Sequence, residues 1–178
     1  MFDAVATDGP PPPDAEGVGV SDRFQRLRGV PALPTVLFAD ASEDYRAMAR
    51  DALLEGRNVT DMRTVGDGQA LLAYLQRAGA TEGAVTPRPS LIVIDAGLPG
   101  EPGNGELIKA LKQDARHRSI PIVVLGADDD PQQVAAYYDA GVNTYIVKPV
   151  TFLALVRLMK VFTSYWLETA ELPHGNTP

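Results

Sequence analysis

The stretch LIVIDAGLPG, residues 91–100, runs four apolar residues into a single acid, Asp95, and then into glycines and a proline. Because the run has no polar position, neither of its faces is suited to contact with solvent. Such a run is typical of a strand buried on both sides in a parallel sheet. The glycines and the proline predict that the strand ends at this acid. In an open α/β sheet, ligands bind at the carboxyl ends of the strands, so Asp95 stands where a functional carboxylate is expected.

From Pro34 onward, short apolar runs alternate with amphipathic segments, a pattern typical of a parallel sheet covered by helices. Five strand and helix pairs are expected, which makes the fold class α/β: a flavodoxin-like, doubly wound, five-stranded parallel sheet, (βα)5. Asp61 and Arg63 interrupt the second strand, so it is placed at an edge, and right-handed crossovers then favour the order 2-1-3-4-5. The strands are predicted at 36–39, about 59–65, 91–94, 122–125 and 144–147, and the helices at about 43–55, 68–79 and 105–115, from 131 onward, and at about 151–171.

Composition excludes several classes of function. The 178 residues contain no cysteine, which removes disulfides, thiolate zinc sites and cysteine nucleophiles. A net charge of -7 without a basic patch opposes binding to nucleic acid. No apolar run reaches the roughly 18 residues of a membrane span, and the N-terminus lacks a secretion signal, so we expect a cytoplasmic protein that does not bind membranes. Residues 1–33, rich in proline, glycine and acids, are expected to form a flexible arm, 34–171 the domain and 172–178 a tail.

Two further candidates for function stand at predicted strand ends. Asp40 follows the first strand and Lys148 follows the fifth. In the order 2-1-3-4-5, strands one and three are neighbours, so Asp40 and Asp95 are expected at one rim, with Lys148 reaching it from the other side. Two adjacent carboxylates repel each other unless a cation lies nearby, and oxygen ligands suit a hard ion such as Mg²⁺.

These residues carry a resemblance to a known family. The block from about Val36 to Leu167 resembles the receiver domain of bacterial two-component response regulators. The matching features are Asp95 followed by Leu-Pro and a glycine-containing loop, and the segment VNTYIVKPVT, residues 142–151, with Lys148 and Tyr145. More narrowly, SYWLETAELP and DGQALLAYLQ resemble the single-domain regulators that accompany bacterial phytochromes.

The resemblance implies a role for each of these residues. Asp95 would be the phosphoacceptor, taking a phosphoryl group from a histidine kinase, with a phytochrome as one candidate kinase. Lys148 would stabilise charge during transfer, and Asp40, Asp95 and the backbone carbonyl of Gly97 would hold Mg²⁺. Tyr145 would be the switch aromatic. Such a protein is a signalling acceptor and not an enzyme in the usual sense.

The sequence departs from the family at the pair of acids that follows the first strand. Gapless spacing to the segment GDGQ puts Asp40 at the first acid and Ala41 at the second. A shift of one residue would put Asp40 at the second position and Ala39 at the first. We prefer the first alignment, since the second turns Asp51 toward the core side of its helix. Either way one acid is absent, which predicts weak Mg²⁺ binding, because the ion must fill the vacancy with water.

The second departure lies at the end of the fourth strand. Gly126 stands where the family has a serine or threonine, whose hydroxyl bonds the phosphoryl group and draws the switch aromatic inward. Gly126 offers only backbone, so we expect phosphorylation to be slow or poorly coupled to Tyr145, with the surface held constitutively in one state.

The last helix carries more apolar residues than one core face needs. A first stripe, expected in the core, comprises Phe152, Leu155, Met159, Phe162 and Trp166. The surplus predicts a homodimer through the fourth helix, the fifth strand and the last helix, and the interface candidates are Leu158, Val161, Tyr165 and Trp166. The alternative is a thick core covered by the N-terminal arm.

Three functions remain open on the sequence. The leading one is a single-domain response regulator. The second is a degenerate receiver that serves as a phosphorylation-independent dimerisation or adaptor module. The third, a phosphohydrolase or flavin-binding protein, is disfavoured because Asp40-Ala41-Ser42 lacks the second acid of a phosphatase and the hydroxyl-rich loop of a flavin site.

Overall fold

A computed structural model describes residues 33–56, 60–78 and 86–170. The strands are Thr35–Ala39 (β1), Asp61–Val65 (β2), Leu91–Asp95 (β3), Ile122–Gly126 (β4) and Thr144–Val147 (β5). The helices are Glu43–Glu55 (α1), Gly68–Arg77 (α2), Asn104–Gln113 (α3), Pro131–Ala140 (α4) and Phe152–Thr163 (α5), and a π-helical stretch, Ser164–Thr169, continues α5. The predicted arm, apart from Leu33, and the predicted tail lie outside the described residues.

The five strands form one parallel sheet in the order β2-β1-β3-β4-β5. This confirms the predicted fold class and strand order. In the register between β1 and β3, Ala39 lies opposite Ile94, so Asp40, which follows β1, and Asp95, the last residue of β3, lie at neighbouring points. The topology therefore brings residues 55 positions apart together at one rim (95 minus 40).

Alternate strand residues feed two apolar layers, one on each face of the sheet. On one face, β1 contributes Leu37 and Ala39 to a cluster with α2, α3 and α4. On the other, Val36 and Phe38 pack with α1 and α5. Because both faces are covered, the inner strands β1, β3 and β4 are rich in consecutive apolar residues, which is the pattern that made β3 recognisable in the sequence.

Capping residues and a first-turn proline mark the starts of α1, α2 and α4, where the sequence predicts them. The Ser42 side chain accepts from the N–H of Tyr45, which caps α1, and Asp67 caps α2 by accepting from Ala70. Pro131 occupies the first turn of α4, where a missing N–H leaves no bond unmade.

The structure corrects several expectations. β3 and β4 each run one residue further, to Asp95 and Gly126, and α3 begins at Asn104 and ends at Gln113. Phe152, predicted in the core stripe, is 45% exposed, because it is the first residue of α5 and the buried positions of that helix begin at Leu155. The rest of the stripe packs inward, with Trp166 half-buried against the β1, α1 and α5 layer.

None of the helices in the described ranges combines the length and the apolar character that a membrane-spanning segment requires.

Candidate functional site

Three charged side chains meet at the carboxyl rim of the sheet. The ammonium of Lys148 donates to Asp40 Oδ2 at 2.5 Å and to Asp95 Oδ1 at 2.9 Å. Lys148 directly follows β5, which pairs with β4 at the edge of the sheet. The backbone N–H of Lys148 donates to the carbonyl of Gly126. The structure thus brings together the three residues that the sequence singled out at strand ends.

The two carboxylates are held differently. The side chain of Asp40 is 2% exposed, and its second oxygen accepts the N–H of Ser42 at 2.9 Å, so both of its oxygens are engaged. The side chain of Asp95 is 15% exposed, and its Oδ2 receives no hydrogen bond from the described residues. Asp95 therefore presents the one carboxylate oxygen of the pair that is open to an incoming group.

The carboxylates keep Lys148 charged. Partial burial lowers the pKa of Lys148, but the hydrogen bonds and negative charges of Asp40 and Asp95 outweigh that effect, so its pKa ends above the ordinary value. Two carboxylates and one ammonium leave the trio with a net negative charge. Such a rim favours a further cation.

The loop after β3 shapes the space beside the open oxygen. Asn104 donates to the carbonyls of Asp95 and Ala96, at 3.3 and 2.8 Å, and fixes the backbone there. A Cβ added at Gly97 would lie 3.2 Å from Asp95 Oδ2, so glycine keeps this oxygen uncrowded.

The donor set fits a hard divalent ion with few protein ligands. Asp40, Asp95 and the carbonyl of Gly97 are the candidates, and in the described ranges no group of three or more acidic, histidine or cysteine side chains is placed to hold a metal. Ala41 is exposed and Ala39 is fully buried in the core. Neither position supplies the second acid, which agrees with a site completed by water.

Tyr45 is a site residue that the sequence reasoning missed. Its ring centroid lies 4.1 Å from Lys148 Nζ, and its hydroxyl donates to the carbonyl of Pro149 at 3.2 Å. The only local signal is an aromatic three positions after the cap Ser42, and nothing in the sequence pairs it with a residue 103 positions later (148 minus 45).

The space around Gly126 is filled by Tyr145, the candidate switch aromatic. A Cβ at Gly126 would overlap the hydroxyl of Tyr145, so the ring occupies the space of the missing side chain. That hydroxyl lies 2.7 Å from Gln133 Oε1 and 2.9 Å from the carbonyl of Asp128. The ring also packs against Tyr137, with centroids 5.7 Å apart. The sequence showed the lost hydroxyl but not that an aromatic takes its place.

A family model for the response regulator receiver domain matches residues 36–160, which include all five strands apart from Thr35. The chain belongs to the response regulator receiver family.

This receiver has relatives among phytochrome-associated regulators. It is 33% identical over 138 residues to the response regulator Rcp1 of Synechocystis sp. (strain ATCC 27184 / PCC 6803 / Kazusa), covering 78% of this chain and 91% of that protein. The structure of the phosphorylated cyanobacterial phytochrome response regulator RcpA is 30% identical, with a TM-score of 0.69 over 80% of this chain and 100% of that one. The Mn²⁺-bound form of Rcp1 is likewise 30% identical, with a TM-score of 0.67 over 79% of this chain and 99% of that one.

The receiver places its four candidate interface residues in two environments. Val161 is 70% and Tyr165 56% exposed. Leu158 and Trp166 are half-buried against the receiver's own core, and Trp166 meets the Tyr165 ring edge-on at 5.0 Å. Only Val161 and Tyr165 are therefore largely available to another molecule.

Proposed function

We propose that this receiver accepts a phosphoryl group on Asp95 from a histidine kinase, and that the kinase is a bacterial phytochrome. The observation that carries the proposal is the Lys148 ammonium bridging Asp40 and Asp95 while Asp95 Oδ2 stays open. The similarity to phytochrome response regulators supports the choice of kinase. The cytoplasmic location expected from the sequence stays a prediction.

The chemistry follows from this geometry. A carboxylate oxygen of Asp95 attacks the phosphorus of a phosphohistidine, a P–O bond forms, and the P–N bond breaks to release the imidazole. Lys148 places its fixed positive charge beside the oxygens that gather negative charge, without having to reorganise. Asp40, by holding Lys148 from the other side, keeps the ammonium at the rim when Asp95 is modified.

Asp40, Asp95 and the carbonyl of Gly97 would hold Mg²⁺. When bound, the ion neutralises charge on the transferring phosphoryl group. One acid of the family pair is absent, so we infer a weakened metal site in which water replaces a protein oxygen.

Incubation with acetyl phosphate and Mg²⁺, followed by intact mass spectrometry, tests the proposal. We expect one phosphoryl group per chain, and none in Asp95→Asn, which keeps the side chain's shape without its nucleophile. The control is Asp44→Asn, at an exposed acid of α1 outside the trio. An unmodified wild-type chain, or an adduct that persists in Asp95→Asn, contradicts phosphoryl acceptance at this residue.

We further infer that switching is weakened. With Tyr145 already turned over Gly126 and hydrogen-bonded to the β4–α4 loop, there is no hydroxyl at position 126 to move and no empty space for the ring to enter. Phosphorylation then has little effect on Tyr145. Full modification of Asp95 accompanied by a clear change at Tyr145 in NMR spectra would refute this.

The inward Tyr145 also favours a second candidate function, a phosphorylation-independent dimerisation or adaptor module. The surface formed by α4, β5 and α5 exposes Tyr138 on α4 at 49%, Val147 on β5 at 46%, and Phe152 and Leu153 on α5 at 45% and 61%. Together with Val161 and Tyr165, they support the homodimer predicted from the sequence.

Light scattering tests the dimer. We expect a homodimer in the wild type and a monomer in the double variant Val161→Glu, Tyr165→Glu. The control is Leu54→Glu on α1, which introduces one glutamate at a leucine that is 69% exposed and lies outside the predicted interface. A wild-type monomer, or equal dissociation by Leu54→Glu, contradicts this interface. A dimer that is indifferent to phosphorylation favours the adaptor function.

A further inference from the structure

Tyr45 is fixed in place by its own helix cap and by the core. It is the third residue of α1, and its N–H donates to the Ser42 side chain at 3.1 Å. On the sheet side its ring stacks against Phe38, with centroids 6.3 Å apart and planes 21° from parallel. Phe38 is 1% exposed, so the Tyr45 ring rests on a residue of the buried core. These contacts place the ring of Tyr45 beside the rim.

From that position Tyr45 holds the lysine segment at two points. The ring centroid lies 4.1 Å from the ammonium of Lys148, within cation–π range. The hydroxyl donates at 3.2 Å to the carbonyl of Pro149, the residue that follows the lysine. One side chain thus contacts both the charged end of Lys148 and the backbone beside its Cα.

The contact matters because a lysine has a long, flexible stem. Two of the ammonium's donors serve Asp40 and Asp95, and the face of the Tyr45 ring covers another side of the ammonium. Without that cover the ammonium gains rotamers and water, and both reduce the time it spends beside Asp95. Electrostatic stabilisation is strongest when the charge is already in place before the reaction.

The chemistry of the hydroxyl agrees with a permanent donor. Burial raises the pKa of Tyr45, and the negative charges of Asp40 and Asp95 raise it further. The phenol therefore stays protonated and keeps its bond to Pro149 throughout the physiological range.

We propose that Tyr45 is a positioning residue that holds the Lys148 ammonium against Asp95 through its ring face, in a receiver that lacks one acid of the metal-binding pair. The inference rests on the proposed function, since it concerns the rate at which Asp95 is phosphorylated. It assigns to α1 a direct part in the site beyond carrying the receiver fold.

Two substitutions separate the ring from the hydroxyl. Tyr45→Phe keeps the ring face and loses the bond to Pro149, whereas Tyr45→Leu keeps apolar packing on Phe38 and loses the ring. We expect the initial rate of phosphorylation by acetyl phosphate to stay within about twofold of wild type in Tyr45→Phe. In Tyr45→Leu it should fall about fivefold, the change that corresponds to a cation–π energy of about 1 kcal/mol.

The matched control is Tyr74→Leu. Tyr74 is also a mostly buried tyrosine that donates to a proline carbonyl, that of Pro87 at 2.9 Å, but it lies on α2, facing the segment before β3. If a tyrosine only supports the fold, replacing it lowers the stability of the protein and leaves the position of the Lys148 ammonium unchanged. Tyr74→Leu should therefore lower the melting temperature and leave the phosphorylation rate unchanged.

A spectroscopic readout separates failure of this inference from failure of the proposed function. An aromatic ring 4.1 Å from Nζ shifts the side-chain NMR signals of Lys148 upfield. The shift should be present in wild type and Tyr45→Phe and absent in Tyr45→Leu. Equal phosphorylation rates in Tyr45→Phe and Tyr45→Leu, or an upfield shift that survives in Tyr45→Leu, would overturn the positioning role. A wild-type chain that takes no phosphoryl group would overturn the proposed function while the ring shift is still measured.

Discussion

The rim formed by Asp40, Asp95 and Lys148 and the region around Gly126 and Tyr145, the candidate switch region, lie at the same edge of the sheet but are built from different contacts. At the rim, Asp40, Asp95 and Lys148 still converge through hydrogen bonds of 2.5 and 2.9 Å. Gly126 has no side chain, and the Tyr145 ring fills the space. The two regions depend on separate contacts, so under the proposed function phosphoryl transfer at the rim can be kept while its readout at Tyr145 is changed.

The largest effect is expected from removing the charge at the centre of the rim. Lys148→Met should lower the rate of Asp95 phosphorylation by about 100-fold, the usual loss when a preorganised electrostatic donor is removed. Time-resolved intact mass spectrometry with acetyl phosphate measures it. Lys148→Arg, which keeps the charge, should lose less. If Lys148→Met retains the wild-type rate, the rim is not the reactive centre, and the proposed separation between rim and switch region is wrong.

The switch region should respond to added volume instead. Gly126→Ala puts a Cβ where the Tyr145 hydroxyl lies, so the ring must leave and give up the contacts of its hydroxyl with the Asp128 carbonyl and with Gln133 of α4. We expect a loss of about 2 kcal/mol in the free energy of unfolding, measured by urea denaturation.

Two further variants make this measurement specific. In a Tyr145→Leu background the same glycine substitution should cost less than about 1 kcal/mol, because the overlapping atoms are absent. Gly105→Ala, within α3 and with no atom within 4 Å of the added Cβ, should stabilise the chain by about 0.5 kcal/mol. Additive costs for Gly126→Ala and Tyr145→Leu would show that the two positions are not coupled.

Metal binding should show the effect of the absent acid. Asp40→Asn removes one of the two remaining carboxylates and should weaken Mg²⁺ binding about tenfold, measured by isothermal titration calorimetry. Asp44→Asn should leave the affinity unchanged, since Asp44 is exposed and lies outside the trio. Equal affinities for wild type and Asp40→Asn would place the metal elsewhere.

The smallest effect is a pH dependence. Because its two carboxylates raise the pKa of Lys148 above the unfolded value of 10.5, the stability from this shift is complete below that pH and is lost as the pH rises through the folded value. The difference in unfolding free energy between wild type and Lys148→Met should stay constant from about pH 7 to about pH 10 and shrink above it. Lys148→Arg should hold its advantage to higher pH. A difference that shrinks near neutral pH would contradict the raised pKa.

Much of the fold could be predicted because its signals are local. Four apolar residues before Asp95 mark a central strand, and Ser42 and Asp67 cap helices through contacts within three residues. The convergence of Asp40, Asp95 and Lys148 also followed, since strand order alone decides which strand ends are neighbours.

Position along a helix was not enough to predict whether an apolar residue is buried. Phe152 has the spacing of a core residue, but it lies in the first turn of α5 and is 45% exposed. Trp166, predicted both in the core stripe and as an interface candidate, packs half-buried against its own core, and the interface stays a prediction. Helical periodicity predicts the direction of a side chain and not how far the neighbouring layer extends.

The amino-acid sequence by itself determined the strand and helix order and which charged residues stand at the rim, because apolar periodicity and capping act over a few neighbouring residues. The tertiary structure alone decided that Tyr145 lies over Gly126 and that Tyr45 covers Lys148. These contacts depend on the space left between elements that are distant in the chain. That space is set by how the layers pack, which no local pattern records.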